Sequence, residues 1–126
     1  MGKQKEGSLQ ERIQTLVERR GGYCFKNHGD MTTEPGRPDI ICCYKGIFVA
    51  IEAKVDNNTP SRQQGIHCRK IWKAGGIACI VWSTDDVETV LNLINYYLGR
   101  QLCPVAIVDY VHDGMLKMNI DDGTRW

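Results

Sequence analysis

Two carboxylates and an ammonium stand at the ends of the most apolar stretch of the chain, residues 36–54, GRPDIICCYKGIFVAIEAK. Asp39 opens the first apolar run, and Glu52 and Lys54 close the second. Side chains alternate faces along a strand. In IFVAIEAK, Phe48, Ala50, Glu52 and Lys54 therefore share one face, and Ile47, Val49, Ile51 and Ala53 the other. Strands expected at about 38–44 and 47–55, joined by a tight turn at Lys45-Gly46, make a hairpin. That hairpin sets Asp39 opposite the end of the second strand, where the three charged groups converge. Two carboxylates so close repel each other in a low dielectric unless a proton or a cation joins them. A hard divalent cation with oxygen ligands is the fitting partner. The plain alternative is an exposed Glu–Lys pair beside a turn Asp, which would bind no cation.

The elements that must position these groups follow from periodicity. SLQERIQTLVERR reads as a helix with Leu9, Ile13, Leu16 and Val17 in one stripe, stopped by Gly21-Gly22. YCFKN reads as a short strand and HGDMTTEPGR as a loop. After the hairpin, a helix is expected from Ser61 to Ala74, a buried strand at IACIVW, and a helix starting at Asp85 or Asp86. That third helix turns Val87, Val90, Leu91, Ile94 and Leu98 inward. PVAIVDYVH and MLKMNI are further candidate strands. The order α-β-β-β-α-β-α, then β, predicts a mixed sheet flanked by helices.

Length and composition agree with one domain over residues 1–126. There is no long apolar run and no apolar leader in MGKQKEGS, so neither a membrane span nor a secretory signal is expected. The six cysteines lie in or beside apolar runs without a C-x-x-C pair. That pattern predicts reduced core thiols in a cytoplasmic protein, with no zinc and no disulfides. Residues 1–73 carry 13 Lys/Arg against 8 Asp/Glu, and residues 74–126 carry 3 against 7. Such asymmetry suits a protein with one face toward a polyanion. His28, His67 and His112 lack metal-ligand spacing, and Ser61 and Ser83 have no base in a recognisable arrangement. Trp72 and Trp82 fit core positions.

Pro38-Asp39 followed by Glu52-Ala53-Lys54 resembles the signature of the PD-(D/E)XK nucleases. The surrounding text resembles the VRR-NUC branch more closely. GGYCFKN, GRPDII, EAK, PSRQQ and KAGG stand where that branch has G-G-x-x-x-K, G-x-P-D, E-x-K, P-[ST]-x-x-Q and x-A-G-G, in the same order. The likeness covers about residues 6–82. It implies a restriction-endonuclease-like core and a DNA endonuclease dependent on Mg²⁺ or Mn²⁺. It also implies 5′-phosphate and 3′-hydroxyl products. Asp39, Glu52 and the Ala53 backbone carbonyl would hold the metal, and Lys54 would orient and activate the attacking water. Gln64 is the branch's helix glutamine, aimed back at the site, but Ser61-x-x-Gln64 also reads as a capping box. Lys26 matches the lysine after the paired glycines and is a candidate DNA contact. Arg37, Arg62, Arg69, Lys70 and Lys73 are candidate phosphate contacts.

The superfamily commonly adds a Glu from the first helix. Glu11 points away from the apolar stripe, and Ser8-x-x-Glu11 reads as a capping box. EGSLQERI resembles the E-x-x-I-Q-x-x-I opening of phage-type members, which carries the role to Glu6 with Gln10 assisting. Analogy with the branch points to branched DNA such as four-way junctions, in a bacterial or phage-infected cell. Two symmetric cuts in such a junction suggest a homodimer, with Leu93, Tyr96, Tyr97 and PVAIVDYV as interface candidates. The alternatives are a flap- or nick-directed nuclease and an idle DNA-binding module of the same fold.

Overall fold

Leu9, Ile13 and Val17 recur every four residues and are all buried, so the first helix lays one apolar stripe on the sheet. In a computed structural model, which describes residues 2–28 and 34–100, this helix is α1 (Gly2–Arg19). It begins six residues earlier than its apolar periodicity indicates. Ser8 lies inside α1, so it cannot be the N-cap and the expected Ser8–Glu11 capping box does not exist. β1 (Tyr23–Lys26), β2 (Ile40–Tyr44), β3 (Ile47–Ala53), α2 (Arg62–Lys73), β4 (Ile77–Val81) and α3 (Thr84–Gly99) follow in the expected order. The expected strands PVAIVDYVH and MLKMNI, with Cys103, His112 and Trp126, lie outside the described residues.

The sheet has the strand order β1-β2-β3-β4, with antiparallel pairs to β3 and a parallel β3–β4 pair. The mixed sheet is thus present. Lys45 and Gly46 both take positive φ, 53° and 83°, the conformation a two-residue hairpin requires. α2 is the crossover between the parallel strands. Ser61 caps it, and the helix starts and ends within a residue of the expected bounds. α3 starts slightly before the expected aspartates, because Ser83 is its cap and accepts from the Asp86 N–H at 3.3 Å.

The helices divide between the two faces. Cys24 Sγ contacts the Gln14 carbonyl of α1 at 3.7 Å, and Tyr44 donates to Asn95 of α3 at 3.1 Å. α1 and α3 therefore cover the face of Cys24, Cys42 and Tyr44. α2 packs on the opposite face, where Trp72 donates its indole N–H to the Ala78 carbonyl at 3.0 Å. β4 is buried along its whole length. Trp72 is a core residue, whereas Trp82 is half-buried with its indole N–H on the Asn58 carbonyl, 3.0 Å away. The five described cysteines are free thiols. No described helix is long and apolar enough to cross a membrane.

Candidate active site

The hairpin register pairs Ile40 with Ile51, which continues to Asp39 opposite Glu52 and Pro38 opposite Ala53. The strands stop there for a chemical reason. Pro38 has no N–H to continue the ladder and its carbonyl is taken by the Asn27 amide, while the Ala53 N–H goes to the Asp39 side chain, at 3.2 Å from Oδ2. The N–H and C=O of one strand residue face the same edge. The Ala53 carbonyl therefore also faces the Pro38–Asp39 side, opposite a residue that cannot donate to it. Asn27 fixes the other flank, its N–H on the Asp39 carbonyl at 2.7 Å and its side-chain amide on the Pro38 carbonyl at 3.1 Å. Sequence reading missed Asn27; its place opposite Asp39 follows only once the β1–β2 register is known.

Glu52 is not the exposed strand-end acid of the plain alternative. It is 3% exposed. Gln64 donates its amide N–H to Oε1, and among the described residues Oε2 is buried without a hydrogen-bond partner, with the Asp39 carboxyl beside it. Burial pushes the Glu52 carboxyl up to about 9, the adjacent Asp39 pushes the same way, and Lys54 opposes them. Glu6 also lies within electrostatic reach. Its carboxyl is raised by burial and then by Asp39, and lowered by Lys54. Four of the expected residues, Asp39, Glu52, Lys54 and Gln64, thus gather with Glu6 at one end of the sheet.

Helix phase sets Glu6 and Glu11 apart. Glu6 lies on the side of Asp39 and Lys54. Glu11 lines an open groove with Arg12, Thr15 and Glu88, between α1 and the start of α3. Gln10 is half-buried, and no hydrogen bond joins it to the acids among the described residues. Gln64 satisfies both readings of the sequence at once. Its Oε1 accepts from the Ser61 N–H at 2.8 Å and its own N–H reaches Ser61 Oγ at 3.2 Å, while the amide nitrogen serves Glu52.

The loop before Asp39 is held against α2. Gly36, at φ 90°, lies so close to Gln63 that a Cβ would come within 2.5 Å of that residue's own Cβ. Glu34 spans the same gap, 3.5 Å from His67 of α2 and 3.7 Å from Arg37. Arg37, an expected DNA contact, is thus engaged by an acid. Arg62 and Lys70 are exposed on α2, Arg69 is half-buried there, and Lys26 is half-buried at the end of β1. His67 is a buried structural histidine, as expected.

The donor set suits a hard cation. A buried carboxylate oxygen without a partner, a second carboxylate beside it, and a backbone carbonyl facing them supply only oxygen. Among the described residues no group of three or more His, Cys, Asp or Glu side chains gathers to hold a metal. The carbonyl and solvent would have to complete any coordination shell.

No family model matches the sequence, and no curated protein matches it. Solved structures do match the fold. A VRR_NUC domain is 24% identical at a TM-score of 0.59, covering 70% of this chain and 95% of that one. A VRR_NUC domain protein is 20% identical at a TM-score of 0.56, covering 75% and 88%. Hjc of Archaeoglobus fulgidus, a Holliday junction resolvase from an archaeal hyperthermophile, is 15% identical at 0.52, covering 61% and 67%. The element order, the mixed sheet and these likenesses agree on a restriction-endonuclease-like α/β core, the fold this chain shares with the VRR_NUC domain structures and the archaeal resolvase.

Proposed function

We propose that the chain is a Mg²⁺- or Mn²⁺-dependent endonuclease of the VRR-NUC type that hydrolyses phosphodiester bonds in branched DNA, in the cytoplasm of a bacterial or phage-infected cell. The observation that carries this reading is the Glu52 carboxyl, buried beside Asp39 with Oε2 left without a hydrogen-bond partner among the described residues. A structural acid would be paired or exposed. Asp39, Glu52 and the Ala53 carbonyl would hold the cation. When bound, it would lower the pKa of a water and polarise a phosphate oxygen.

The chain's own residues account for the rest. Gln64 ties down Glu52 Oε1 and leaves Oε2 as the open donor. The Ala53 N–H orients Asp39 through Oδ2. Lys54, at the end of β3, sets an ammonium where negative charge grows on the reacting phosphate and can orient the attacking water. Glu6, with its raised affinity for a proton, can hold the proton that the water loses. The likeness to a Holliday junction resolvase supports four-way junctions as the substrate. Two coordinated cuts then call for a homodimer. Tyr96, half exposed on α3 with Arg100 stacked 3.8 Å above its ring, is the interface residue we offer.

A panel of duplex, nicked, flap and four-way DNA, incubated with Mg²⁺, Mn²⁺ or EDTA, tests this. Four-way DNA is cut with either metal and left intact in EDTA and by Asp39→Ala. Cleavage that persists in EDTA, or in Asp39→Ala, rules out the assigned chemistry. Preferred cutting of flaps or nicks moves the substrate. Binding without cleavage under any condition leaves an idle module.

A further inference from the structure

The sheet face that carries Asp39 and Glu52 is covered unequally. Among the described residues α2 lies over β3 and β4, and no helix packs on the β1–β2 half of this face. On that half the register builds two rows beyond the acids, Phe25 beside Ile41 and then Tyr23 beside Cys43 and Phe48. Tyr23, Phe25 and Phe48 are 66%, 48% and 46% exposed, three of the four exposed large apolar side chains among the described residues. The opposite face of the same strands is buried under α1, with Cys24 and Cys42 inside. The bare strip begins at the acids, because Phe25 is the diagonal neighbour of Asp39, roughly 7–8 Å away between Cα atoms.

We propose that this strip is a stacking platform for unpaired nucleotides next to the scissile phosphate, so that the site takes DNA whose strands are locally open. The inference rests on the nuclease reading above and names the feature of the substrate it selects. Aromatic rings bind bases without regard to sequence, because every base has a π-face. The Tyr23 and Phe25 centroids are 6.2 Å apart with planes tilted by 50°. That is an ordinary aromatic contact, so the two rings form one continuous apolar surface. Lys70 adds positive charge, lining with Phe48, His67, Ile71, Ala74 and Gly76 a cleft of about 380 Å³ between α2 and the sheet. A phosphate backbone running from the acids would meet the ammonium there, with its bases toward the rings. A second copy of the chain is the less fitting occupant. The three rings offer roughly 300 Å² of exposed surface, against about 800 Å² per partner in a standard interface.

The test measures affinity of the full chain, in EDTA to keep the DNA intact, for a blunt duplex and for the same duplex bearing a short oligo-dT arm. Three proteins are compared: wild type, Tyr23→Thr/Phe25→Thr, which keeps strand propensity, and Tyr23→Phe/Phe25→Tyr, which keeps the rings. The Thr pair is expected to lose about 10-fold or more on the armed DNA, with little change on the blunt duplex. The ring-keeping pair should behave as wild type. Equal losses on both DNAs, or no loss on the armed one, overturn the platform. So does a Thr pair that sediments as a smaller species than wild type, which would mean a second copy covers the strip. A wild type that binds neither DNA overturns the nuclease reading, and the platform with it. A wild type that binds both equally overturns the platform alone.

Discussion

α2 and α3 begin with the same local device and put it to different use. Ser61 and Ser83 each accept from the backbone N–H three residues on, at 3.2 and 3.3 Å. In each case the side chain of that third residue reaches back to the entering backbone. Gln64 takes the Ser61 N–H at 2.8 Å, and Asp86 takes the Trp82 N–H at 2.9 Å. Asp86 has no N–H to offer a further partner, because a carboxylate only accepts. Gln64 still has an amide N–H₂ group, and the fold places Glu52 in front of it. The charges differ in the same sense. α3 carries Asp85 and Asp86 in its first turn, which favours its dipole, whereas α2 has no acid there and faces Glu52 instead. A capping box therefore does not argue against a site role when its third residue is an amide.

The strongest way to break the contrast is to remove what α2 points at. Glu52→Gln should lower single-turnover cleavage by at least ~10²-fold, the scale of losing one charge-stabilising group, while the chain still folds. Cleavage within a few-fold of wild type would return Gln64 to the purely structural class of Asp86.

Gln64→Glu is the finer instrument. It keeps the acceptor for Ser61 but replaces the donor to Glu52 with a second negative charge. Turnover should fall ~10–100-fold, as for other residues that orient metal-ligating groups. Asp86→Asn, the mirror change on α3, should leave kcat unchanged. Parallel effects of the two substitutions on kcat would erase the distinction.

Titration tests the acid that α2 faces. Without metal, the Glu52 carboxyl is raised from 4.5 to about 9. The folded chain then binds this proton more tightly than the unfolded chain does. Its stabilisation is full below about pH 4.5 and is lost as pH rises toward 9. The urea midpoint in EDTA should fall across that range for wild type and be flatter for Glu52→Gln.

The smallest effect is on the caps themselves. Ser83→Ala should cost about 1 kcal/mol by thermal or urea unfolding, with kcat unchanged. Ser61→Ala should cost a similar amount and also reduce kcat, since Gln64 loses part of its anchorage.

The acid end of the hairpin was legible from local sequence alone. Alternation through IFVAIEAK, the Lys45-Gly46 turn and the proline before Asp39 are local features, and each dictates backbone geometry within a few residues. The α2 cap was legible for the same reason. The start of α1 was not, because GKQKEGS lies before the first buried stripe residue and carries no apolar period. Nor could sequence tell that Glu52 would be buried with one oxygen unpartnered, that Asn27 would hold Pro38 and Asp39 in place, or that Glu34 would reach His67. The Asn27 contact depends on the β1–β2 register, and the other two on where α2 comes to rest across the sheet. Packing between elements far apart in the chain sets that lateral position, which buries Glu52 under Gln64, while Tyr23 and Phe25 stay exposed.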